Sequence, residues 1–303
     1  MKNAIKYYYN LELNDIHQYK KEYKFHSLNK DYILYEYTGT IRELEEKYNI
    51  QTYINSIGMY SHKIIKNNNN ELATIINKKK YVLIEIENEN RIINIMDIMN
   101  FAHIYLNKEF FKAINRTDWK KLWKEKIDYI EYQISQFGKK YTIIRESSDY
   151  YIGIAETCIS LISNTNIEKR LISCTHDRLN KKTNTIEFYN PINFIVDTRV
   201  RDIGEYLTQK LYEEDITLET HNYINYNNLT SHEIILLFIR IIYPSNYFDI
   251  CETIIEGKEN ENTLIKLVNK NAIFEQNIKK LYKYIKKMIT IPEIEWLSKP
   301  TQY

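Results

Sequence analysis

Thr40 and Glu43 have the spacing of a helix-capping box, in which each side chain binds the backbone N–H of the other residue. They predict a helix that runs to Gly58. The apolar, β-rich run "DYILYEY" (31–37) precedes this helix, and "HKIIK", "ELATII" and "YVLIEIE" follow it. Asn- and Lys-rich turns separate these three runs, so we predict a three-stranded antiparallel meander. Residues 1–88 are therefore expected to form a small lobe of antiparallel sheet and one helix.

Helical patterns dominate the chain after the segment "NENR" (88–91), which we predict to be a hinge. The predicted helices span 92–106, 117–138, 150–162, 201–212, 231–242 and 273–288. One of them carries large apolar side chains every three or four residues, as is typical of a face in the core: Trp119, Leu122, Trp123, Ile127, Ile130, Ile134 and Phe137. We therefore predict an α+β fold of two lobes, in which residues 89–303 form the larger, mainly helical lobe.

Composition argues against several classes of function. The chain has 303 residues, of which 44% are hydrophobic, and its net charge of +2 does not indicate a nucleic-acid partner. The most apolar run, "IILLFIRIIY" (234–243), contains Arg240 and is half as long as a membrane span, which needs about 20 residues. We therefore predict a buried helix there and no membrane span. Because the N-terminus lacks the apolar core of a signal peptide, we expect a cytoplasmic protein.

The cysteines and histidines do not indicate a metal site. Cys158, Cys174 and Cys251 are widely spaced and odd in number, so they suggest buried thiols in a reducing compartment. The seven histidines form no HExxH motif and no Cys/His cluster, so no zinc site is predicted. The 28 tyrosines accompany abundant Asn, Ile and Lys. We attribute them to an A/T-rich genome.

The segment "CTHDRLNKK" (174–182) is close to the loop H-x-D-x-x-x-x-N of kinase-fold phosphotransferases. In that loop the Asp orients or deprotonates the acceptor hydroxyl, and the Asn binds magnesium. With His176 at the motif His, Arg178 takes the Asp position and Thr183 takes the Asn position. An Arg side chain can neither accept a proton nor help to bind a metal.

A register slipped by one residue would use Asp177 as the acid, with Asn180 or Asn184 as the metal ligand. The spacing does not support this reading, because the five-residue offset from Asp177 falls on Lys182. Two readings remain: the catalytic Asp and Asn positions are replaced, as the spacing favours, or the motif has slipped by one residue.

Four segments in order carry a resemblance to a known family: "WKKLWKEKIDYIE" (119–131), "SDYYIGIAETCI" (148–159), "NPINFIVDTRVRDIGEYL" (190–207) and "LLFIRIIYPSNYFDICE" (236–252). In these segments the chain resembles the YutH group of kinase-like spore coat proteins, in the CotS and aminoglycoside phosphotransferase-like superfamily. The resemblance implies a bilobal, protein-kinase-like fold in a spore-forming bacterium. A fold alone does not carry an activity.

The resemblance also places further catalytic positions. The strand that reads A-L-K in active relatives matches "ILY", which puts Tyr35 at the position of the phosphate-binding Lys. A phenol is neutral at pH 7 and cannot replace an ammonium group there. The metal-binding Asp of active relatives lies seven residues before a Y-D-P-x-x-R-D segment, which "VDTRVRD" matches through Asp197 and Asp202. This count puts Asn190 at the metal position, where its carbonyl oxygen can bind a cation but brings no charge.

Asp202 keeps its place in the motif. In kinase-like folds an Asp at this position anchors the backbone of the catalytic loop, so we expect Asp202 to be a structural loop anchor. We expect His176 to be a hydrogen-bonded loop histidine rather than a general base. Arg199 and Arg201 are expected to be ion-paired at the surface or between the lobes.

Three charged catalytic positions are thus altered together, at Tyr35, Arg178 and Asn190. The leading hypothesis is a pseudokinase without a cofactor or metal, which binds protein partners in sporulation or spore coat assembly, in the cytoplasm of the sporulating cell or in the coat. One alternative is an active small-molecule or protein kinase that uses ATP, magnesium and Asp177. The other alternative is a non-catalytic switch that binds a nucleotide between its lobes.

Overall fold

The computed structural model describes residues 1–13, 15–19, 22–86, 90–163 and 172–298. Within these residues a β-rich lobe (the N-lobe, up to residue 86) is followed by a helical lobe (the C-lobe, from residue 90), as predicted. The predicted boundary after residue 88, and residues 88 and 89 of the predicted hinge, lie outside the described residues.

The strands are β1 (His17–Tyr19), β2 (Glu22–Ser27), β3 (Lys30–Glu36), β4 (Lys63–Ile65), β5 (Thr74–Ile76), β6 (Lys79–Ile86), β7 (Ile172–His176) and β8 (Phe194–Thr198). The α-helices are α1 (Lys2–Tyr9), α2 (Ile41–Ser56), α3 (Ile95–Phe101), α4 (Trp119–Phe137), α5 (Thr142–Ser163), α6 (Thr185–Phe188), α7 (Arg201–Leu211), α8 (Thr217–Tyr226), α9 (Ser231–Ile242), α10 (Ser245–Ile255), α11 (Asn262–Val268), α12 (Asn271–Met288) and α13 (Glu295–Ser298). Short 3₁₀ helices cover Lys108–Phe110 and Pro191–Asn193.

The sheet of the N-lobe is antiparallel, in the order β1-β2-β3-β6-β4. The β2–β3 hairpin turns through Leu28 and Asn29, which both have positive φ, as in a type I′ turn. The sequence pattern predicts β3 but not β1 and β2. The predicted three-stranded meander is wrong, because β4 and β5 both pair with β6, opposite residues 83–85 and 79–81 respectively. A single strand of eight residues provides pairing positions for both short strands.

Helix α2 begins with the predicted capping box. Thr40 Oγ1 accepts a hydrogen bond from the Glu43 N–H at 3.1 Å, and the Glu43 carboxylate accepts one from the Thr40 N–H at 2.7 Å. The buried face of the helix is divided between two cores. Leu44 packs with the N-lobe strands, whereas Ile50 and Ile54 belong to the core of the C-lobe. Helix α2 therefore connects the two lobes.

The core of the C-lobe includes α4, α5, α7 and α9. The apolar stripe of α4 faces this core as predicted, although Phe137, at its end, is 46% exposed. The predicted buried helix at 231–242 is α9, in which Arg240 is also buried. The cysteines are unpaired and buried, as predicted.

Helix α9 and α10 together form an apolar stretch. Among the residues that the structure describes, Ser231–Ile255 is the one stretch that by length and composition alone could cross a membrane. It consists of two helices that are separated at Tyr243 and Pro244, and 72% of its most apolar window is buried inside the protein. This burial agrees with a core position.

The predicted helix at 92–106 is longer than the observed α3. The chain leaves the helix after Phe101 because the next residues pair with strand β7. The Leu106 N–H donates to the Ile172 carbonyl at 2.9 Å, and the Cys174 N–H donates to the Ile104 carbonyl at 3.0 Å. A long-range pairing thus replaces the local helical pattern, as tertiary contacts often do.

Candidate functional site

The β7–β8 hairpin carries the loop that the motif places at the catalytic position. His176 ends β7 and is buried above Asp202, which lies in the first turn of α7. Asp202 accepts a hydrogen bond from the His176 backbone N–H at 2.9 Å and lies 2.7 Å from its Nδ1. The other ring nitrogen, Nε2, donates to the Phe188 carbonyl at 2.7 Å. Both ring nitrogens of His176 therefore have partners, on α7 and at the end of α6.

Arg178 forms a two-pronged ion pair with Asp249 of α10. Its Nε lies 3.0 Å from Oδ2 of Asp249 and its Nη2 lies 3.2 Å from Oδ1, a geometry that suits the planar guanidinium. Lys126 of α4 lies 3.7 Å from the same carboxylate. Arg178, at the Asp position of the motif, is therefore an ion-paired cation that cannot act as a base.

Arg178, Arg201 and Arg240 share the buried carboxylate of Glu205. Its Oε1 lies 4.0 Å from Arg178 and 3.3 Å from Arg201, and it accepts a hydrogen bond from Arg240. Its Oε2 accepts from the Leu179 N–H at 3.0 Å. Burial alone would raise the pKa of Glu205, but the three guanidinium groups outweigh burial and lower it. Glu205 therefore stays ionised and ties the loop to α7 and α9.

Asp197 completes this network at the end of β8. Trp119 Nε1 donates to both of its oxygens at 2.9 Å, and Arg201 Nη1 donates at 3.0 Å. Complete burial nevertheless raises the pKa of Asp197. Arg201 also donates to the backbone carbonyls of His176 and Asp177. Asp197 therefore positions Arg201, and Arg201 binds the backbone of the loop at His176 and Asp177.

The expected surface or interlobe position of Arg199 and Arg201 is wrong. Both side chains are buried inside the C-lobe. Arg199 pairs through Nη2 with Glu233 of α9 at 2.8 Å, and Glu233 is also the acid of a capping box with Thr230. The two arginines are paired as expected, but their partners lie in the core because charges at this depth require close counterions.

The other loop positions take part in turns of the loop itself. Thr183 is buried, and its Oγ1 accepts from the Asn180 N–H at 3.0 Å. Asn180 Oδ1 accepts from the Lys182 N–H at 2.8 Å, and Asn184 Oδ1 caps α6 through the Glu187 N–H at 2.9 Å. Both amide oxygens that the slipped register would use as metal ligands are thus bound to the backbone.

Asp177 is the acidic residue of this loop, and its side chain is exposed. Burial lowers the pKa of Lys47 on α2, and the charge of Asp177 partly opposes this effect. Asp177 also acts on Arg178 and Arg201. Its surroundings are therefore cationic. In the part of the chain that the structure describes, no three His, Cys, Asp or Glu residues are grouped closely enough to hold a metal ion.

Tyr35 and Asn190 lie next to each other across the interface between the lobes. The side chain of Asn190 lies beside the Tyr35 hydroxyl, and Asn190 Oδ1 accepts from the Ile192 N–H at 3.0 Å. Burial, and then the charges of Glu22 and Glu187, raise the pKa of Tyr35 well above its usual value. Tyr35 is therefore a neutral phenol, at the position that the family resemblance assigns to the phosphate-binding Lys.

Two further side chains of α2 fasten the lobes at this interface. Lys47 Nζ donates to the carbonyl of Ile192, whose side chain packs with Leu44 in the N-lobe core. The buried carboxylate of Glu46 accepts from the backbone N–H groups of residues 112–114 at 2.9–3.1 Å. The sequence does not predict these roles, because Glu46 and Lys47 lie in a run of charges typical of a solvated helix face.

One cavity lies between the lobes, and a second cavity is lined in part by Arg178. The interlobe cavity, of about 960 Å³, lies between the N-lobe sheet and the start of the C-lobe, and its lining includes Ile33, Ile86, Asn90 and Ile186. The arginine pocket, of about 200 Å³, opens beside Arg178 between the loop and the helices of the C-lobe. The first has the volume of a small-molecule site, roughly 300–1,000 Å³, and the second is smaller.

Solved phosphotransferase structures share this arrangement of lobes. An aminoglycoside phosphotransferase from Alicyclobacillus acidocaldarius matches with a TM-score of 0.63 and 11% identity, over 91% of this chain and 93% of that one. Spectinomycin phosphotransferase matches with a TM-score of 0.58 and 13% identity, over 95% and 93%. Amicoumacin kinase matches with a TM-score of 0.54 and 12% identity, over 98% and 95%. The chain therefore has the kinase-like fold of the aminoglycoside phosphotransferases, as predicted.

Within this class, the chain belongs to the family described as "Spore coat putative kinase YutH", whose model matches residues 2–287. It is similar to the endospore coat-associated protein YutH of Bacillus subtilis (strain 168), with 24% identity over 219 residues. That match covers 62% of this chain and 64% of the length of the curated relative. The family predicted from the four sequence segments is confirmed.

Proposed function

We propose that this chain is a catalytically inactive, kinase-like protein that acts as a binding scaffold in spore coat assembly. The joint replacement at Tyr35, Arg178 and Asn190 carries the proposal. Phosphoryl transfer in this fold needs a cation on the phosphates, an acidic residue at the acceptor hydroxyl and an anionic metal ligand. This chain has a neutral phenol, a guanidinium and a neutral amide at those positions.

The contacts of these residues support the loss of activity. Arg178 is paired with Asp249, and Asn190 lies beside Tyr35, so each replacement is part of a stable local structure. The Oδ1 atom of Asn190 already accepts a backbone hydrogen bond. Residues of this kind do not fit a magnesium–nucleotide complex, which needs carboxylates on the metal.

The family supports a role in the spore. The relative from Bacillus subtilis is described as endospore coat-associated. A protein without catalysis acts through binding, so the partners would be proteins of coat assembly in the cytoplasm of the sporulating cell or in the coat. Deletion of the chain is then expected to change the set of proteins in the purified coat. An unchanged coat would contradict the scaffold role.

Binding of magnesium–ATP and magnesium–GTP to the purified chain tests the loss of catalysis. We expect no change in Tm with either nucleotide, and an active phosphotransferase of the same fold serves as the positive control. A saturable increase in Tm that implies micromolar affinity would contradict the proposal, since a ligand of the folded state stabilises it by mass action. Phosphate transfer that is lost on Asp177→Ala would establish the active-kinase alternative instead.

The interlobe cavity favours a second candidate, a non-catalytic switch that binds a nucleotide. Its volume of about 960 Å³ suffices for a nucleotide, and it lies between the lobes, so an occupant would contact both. This candidate predicts nucleotide binding that persists in EDTA and changes the protease sensitivity of the chain without phosphate transfer. Unchanged protease sensitivity at saturating nucleotide would exclude a switch.

A further inference from the structure

The arginine pocket is cationic where the phosphotransferase motif has an acid. Its lining combines five Arg and Lys side chains, the carboxylates of Asp177 and Asp249, and an apolar wall that includes Trp123 and Tyr243. These residues come from the segment before α4, from α4, α7, α9 and α10, from the junction between α9 and α10, and from the loop after β7. Distant parts of the C-lobe therefore converge on one small cavity.

Three of the four carboxylates of this region, those of Asp249, Asp197 and Glu205, are paired with cations. Both oxygens of Asp249 bind Arg178, and Lys126 lies beside one of them. Asp177 lies among cations at the mouth of the pocket. The acids behind the wall, Asp197 and Glu205, have all four oxygens in hydrogen bonds or ion pairs. In the described residues the exposed carboxylate of Asp177 has no hydrogen-bond partner, so it is the acid of the pocket that would oppose a bound anion.

Two guanidinium groups on the wall have donors to spare. Arg116 Nη1 donates to the backbone carbonyls of Ala113 and Asn115, and Arg116 has no carboxylate within 4.0 Å in the described residues. The Nε of Arg240 is buried without a hydrogen-bond partner in the same residues. Burial, and then the neighbouring Arg201, lower the pKa of Arg240.

An apolar wall lines one side of the pocket. The rings of Trp123 and Tyr243 stack at 3.9 Å, and the Arg240 guanidinium lies 5.8 Å from the Trp123 ring centroid. Such a wall excludes water from one side of the pocket. An ionic interaction in the pocket is then screened less than it would be at an open surface.

We propose that the arginine pocket binds a small oxyanion of the phosphate class, either inorganic phosphate or the phosphate group of a small monoester, without a metal. Guanidinium groups match the oxygens of phosphate in charge and geometry. The volume of about 200 Å³ suits an ion of this size and excludes a nucleotide. The site does not depend on the scaffold function, because it requires neither catalysis nor a protein partner.

Calorimetric titration of the full-length chain tests this site. The titrants are inorganic phosphate, phosphoethanolamine and acetate at constant ionic strength, without nucleotide or magnesium. Arg116→Gln removes the guanidinium that has no carboxylate partner, so it leaves no acid unpaired and the chain is expected to fold. Asp177→Asn removes negative charge from the mouth of the pocket. Arg145→Gln, on the exposed face of α5, is the matched control.

We expect saturable phosphate binding that Arg116→Gln weakens by about tenfold, the effect of one charge-assisted hydrogen bond. Asp177→Asn should strengthen binding, and Arg145→Gln should leave it unchanged. Tighter binding of phosphoethanolamine than of phosphate would identify a monoester as the ligand, and the reverse would identify the free ion. Absence of saturable phosphate binding, equal affinity for acetate, or an unaffected Arg116→Gln variant would overturn the proposal.

Discussion

The side chain of Asn190 lies beside the Tyr35 hydroxyl, so the positions that the family resemblance assigns to the metal ligand and the phosphate-binding Lys are neighbours across the interface between the lobes. An ionised group left alone at such a half-buried position would be costly. Replacement of one charge would leave the other without a partner, whereas two neutral groups can form a hydrogen bond. Two neighbouring neutral side chains avoid that cost.

A double-mutant cycle between Tyr35→Phe and Asn190→Ala should measure the contact between these two side chains. Each single variant is expected to lower the free energy of unfolding by about 1 kcal/mol, because each removes one of the two neighbouring polar groups. The coupling energy should be about 0.5–1.5 kcal/mol. The control pairs Tyr35→Phe with Asn94→Ala, which removes a helix cap on α3. That second cycle should be additive, and additivity in both cycles would show that the contact contributes no stability.

Glu46→Gln should loosen the attachment of α2 to the C-lobe. The neutral amide offers one acceptor oxygen where the carboxylate accepts four hydrogen bonds, so some of the N–H groups at 112–114 lose their partner. We expect a loss of about 1–3 kcal/mol of stability and faster hydrogen exchange at residues 112–114. The neighbouring exposed Glu45→Gln is the control. Equal exchange rates at residues 112–114 in both variants would argue against an attachment of α2 to the C-lobe through Glu46.

Gly204→Ala should destabilise the packing of α7 on α9. A methyl group at this position would lie 2.5 Å from Cγ and 2.8 Å from Cβ of Arg240, whose side chain is fixed by Glu205. We expect a loss of about 1–3 kcal/mol in urea unfolding. Gly153→Ala, on the exposed side of α5, meets no atom within 4 Å. It should raise stability by roughly 0.5–1 kcal/mol, as Ala favours helix over Gly; a stabilised Gly204→Ala would disprove the clash.

Glu205→Gln should be the most damaging conservative change in the arginine network. It leaves three buried or partly buried guanidinium groups with one carboxylate fewer, at an expected cost of about 3–5 kcal/mol. Glu213→Gln removes an exposed partner of Lys181 and Lys270 and should cost less than about 1 kcal/mol. Similar Tm values for the two variants would show that the network is not important for stability.

The carboxylate of Glu205 should make the stability of the folded protein depend on pH, with a defined sign. Because its arginines lower the folded-state pKa of Glu205 below 4.5, its stabilisation is complete above that pH and is lost as the pH falls through the folded pKa. Asp197 has the opposite sign, since burial raises its pKa from 3.8 and its contribution declines as the pH rises through the folded pKa. Urea unfolding should therefore show the difference between wild type and Glu205→Gln shrinking below pH 4.5. A constant difference would contradict the lowered pKa.

Local signals in the sequence predicted part of the fold correctly. The capping box at Thr40, the stripe of α4 and the apolar run of α9 each depend on residues within a few turns of one helix. The pairing of β4 and β5 with one strand was not predictable, because it depends on the length of β6 rather than on the composition of the turns. The same reason applies to α3, which a pairing with β7 shortens.

In the candidate site, too, the sequence predicted positions but not the long-range contacts between them. Spacing between motifs led to Tyr35, Arg178 and Asn190, but it could not show that Tyr35 and Asn190 are neighbours or that Arg178 is held by Asp249. These partners are far apart in the sequence. The buried positions of the arginines after Asp197 were missed for the same reason, since their acids lie on other helices.

The division of α2 between two cores has a consequence for folding. Ile50 and Ile54 fill space in the C-lobe, although they precede its first residue in the sequence by about 40 positions. A fragment that begins at residue 90 would lack these side chains and expose apolar surface, so it should aggregate rather than fold. During synthesis from the N-terminus, α2 is made before any helix of the C-lobe. Ile50 and Ile54 can therefore be buried only after the C-lobe has been synthesised. The intact chain is therefore expected to melt in one transition, with both lobes unfolding together.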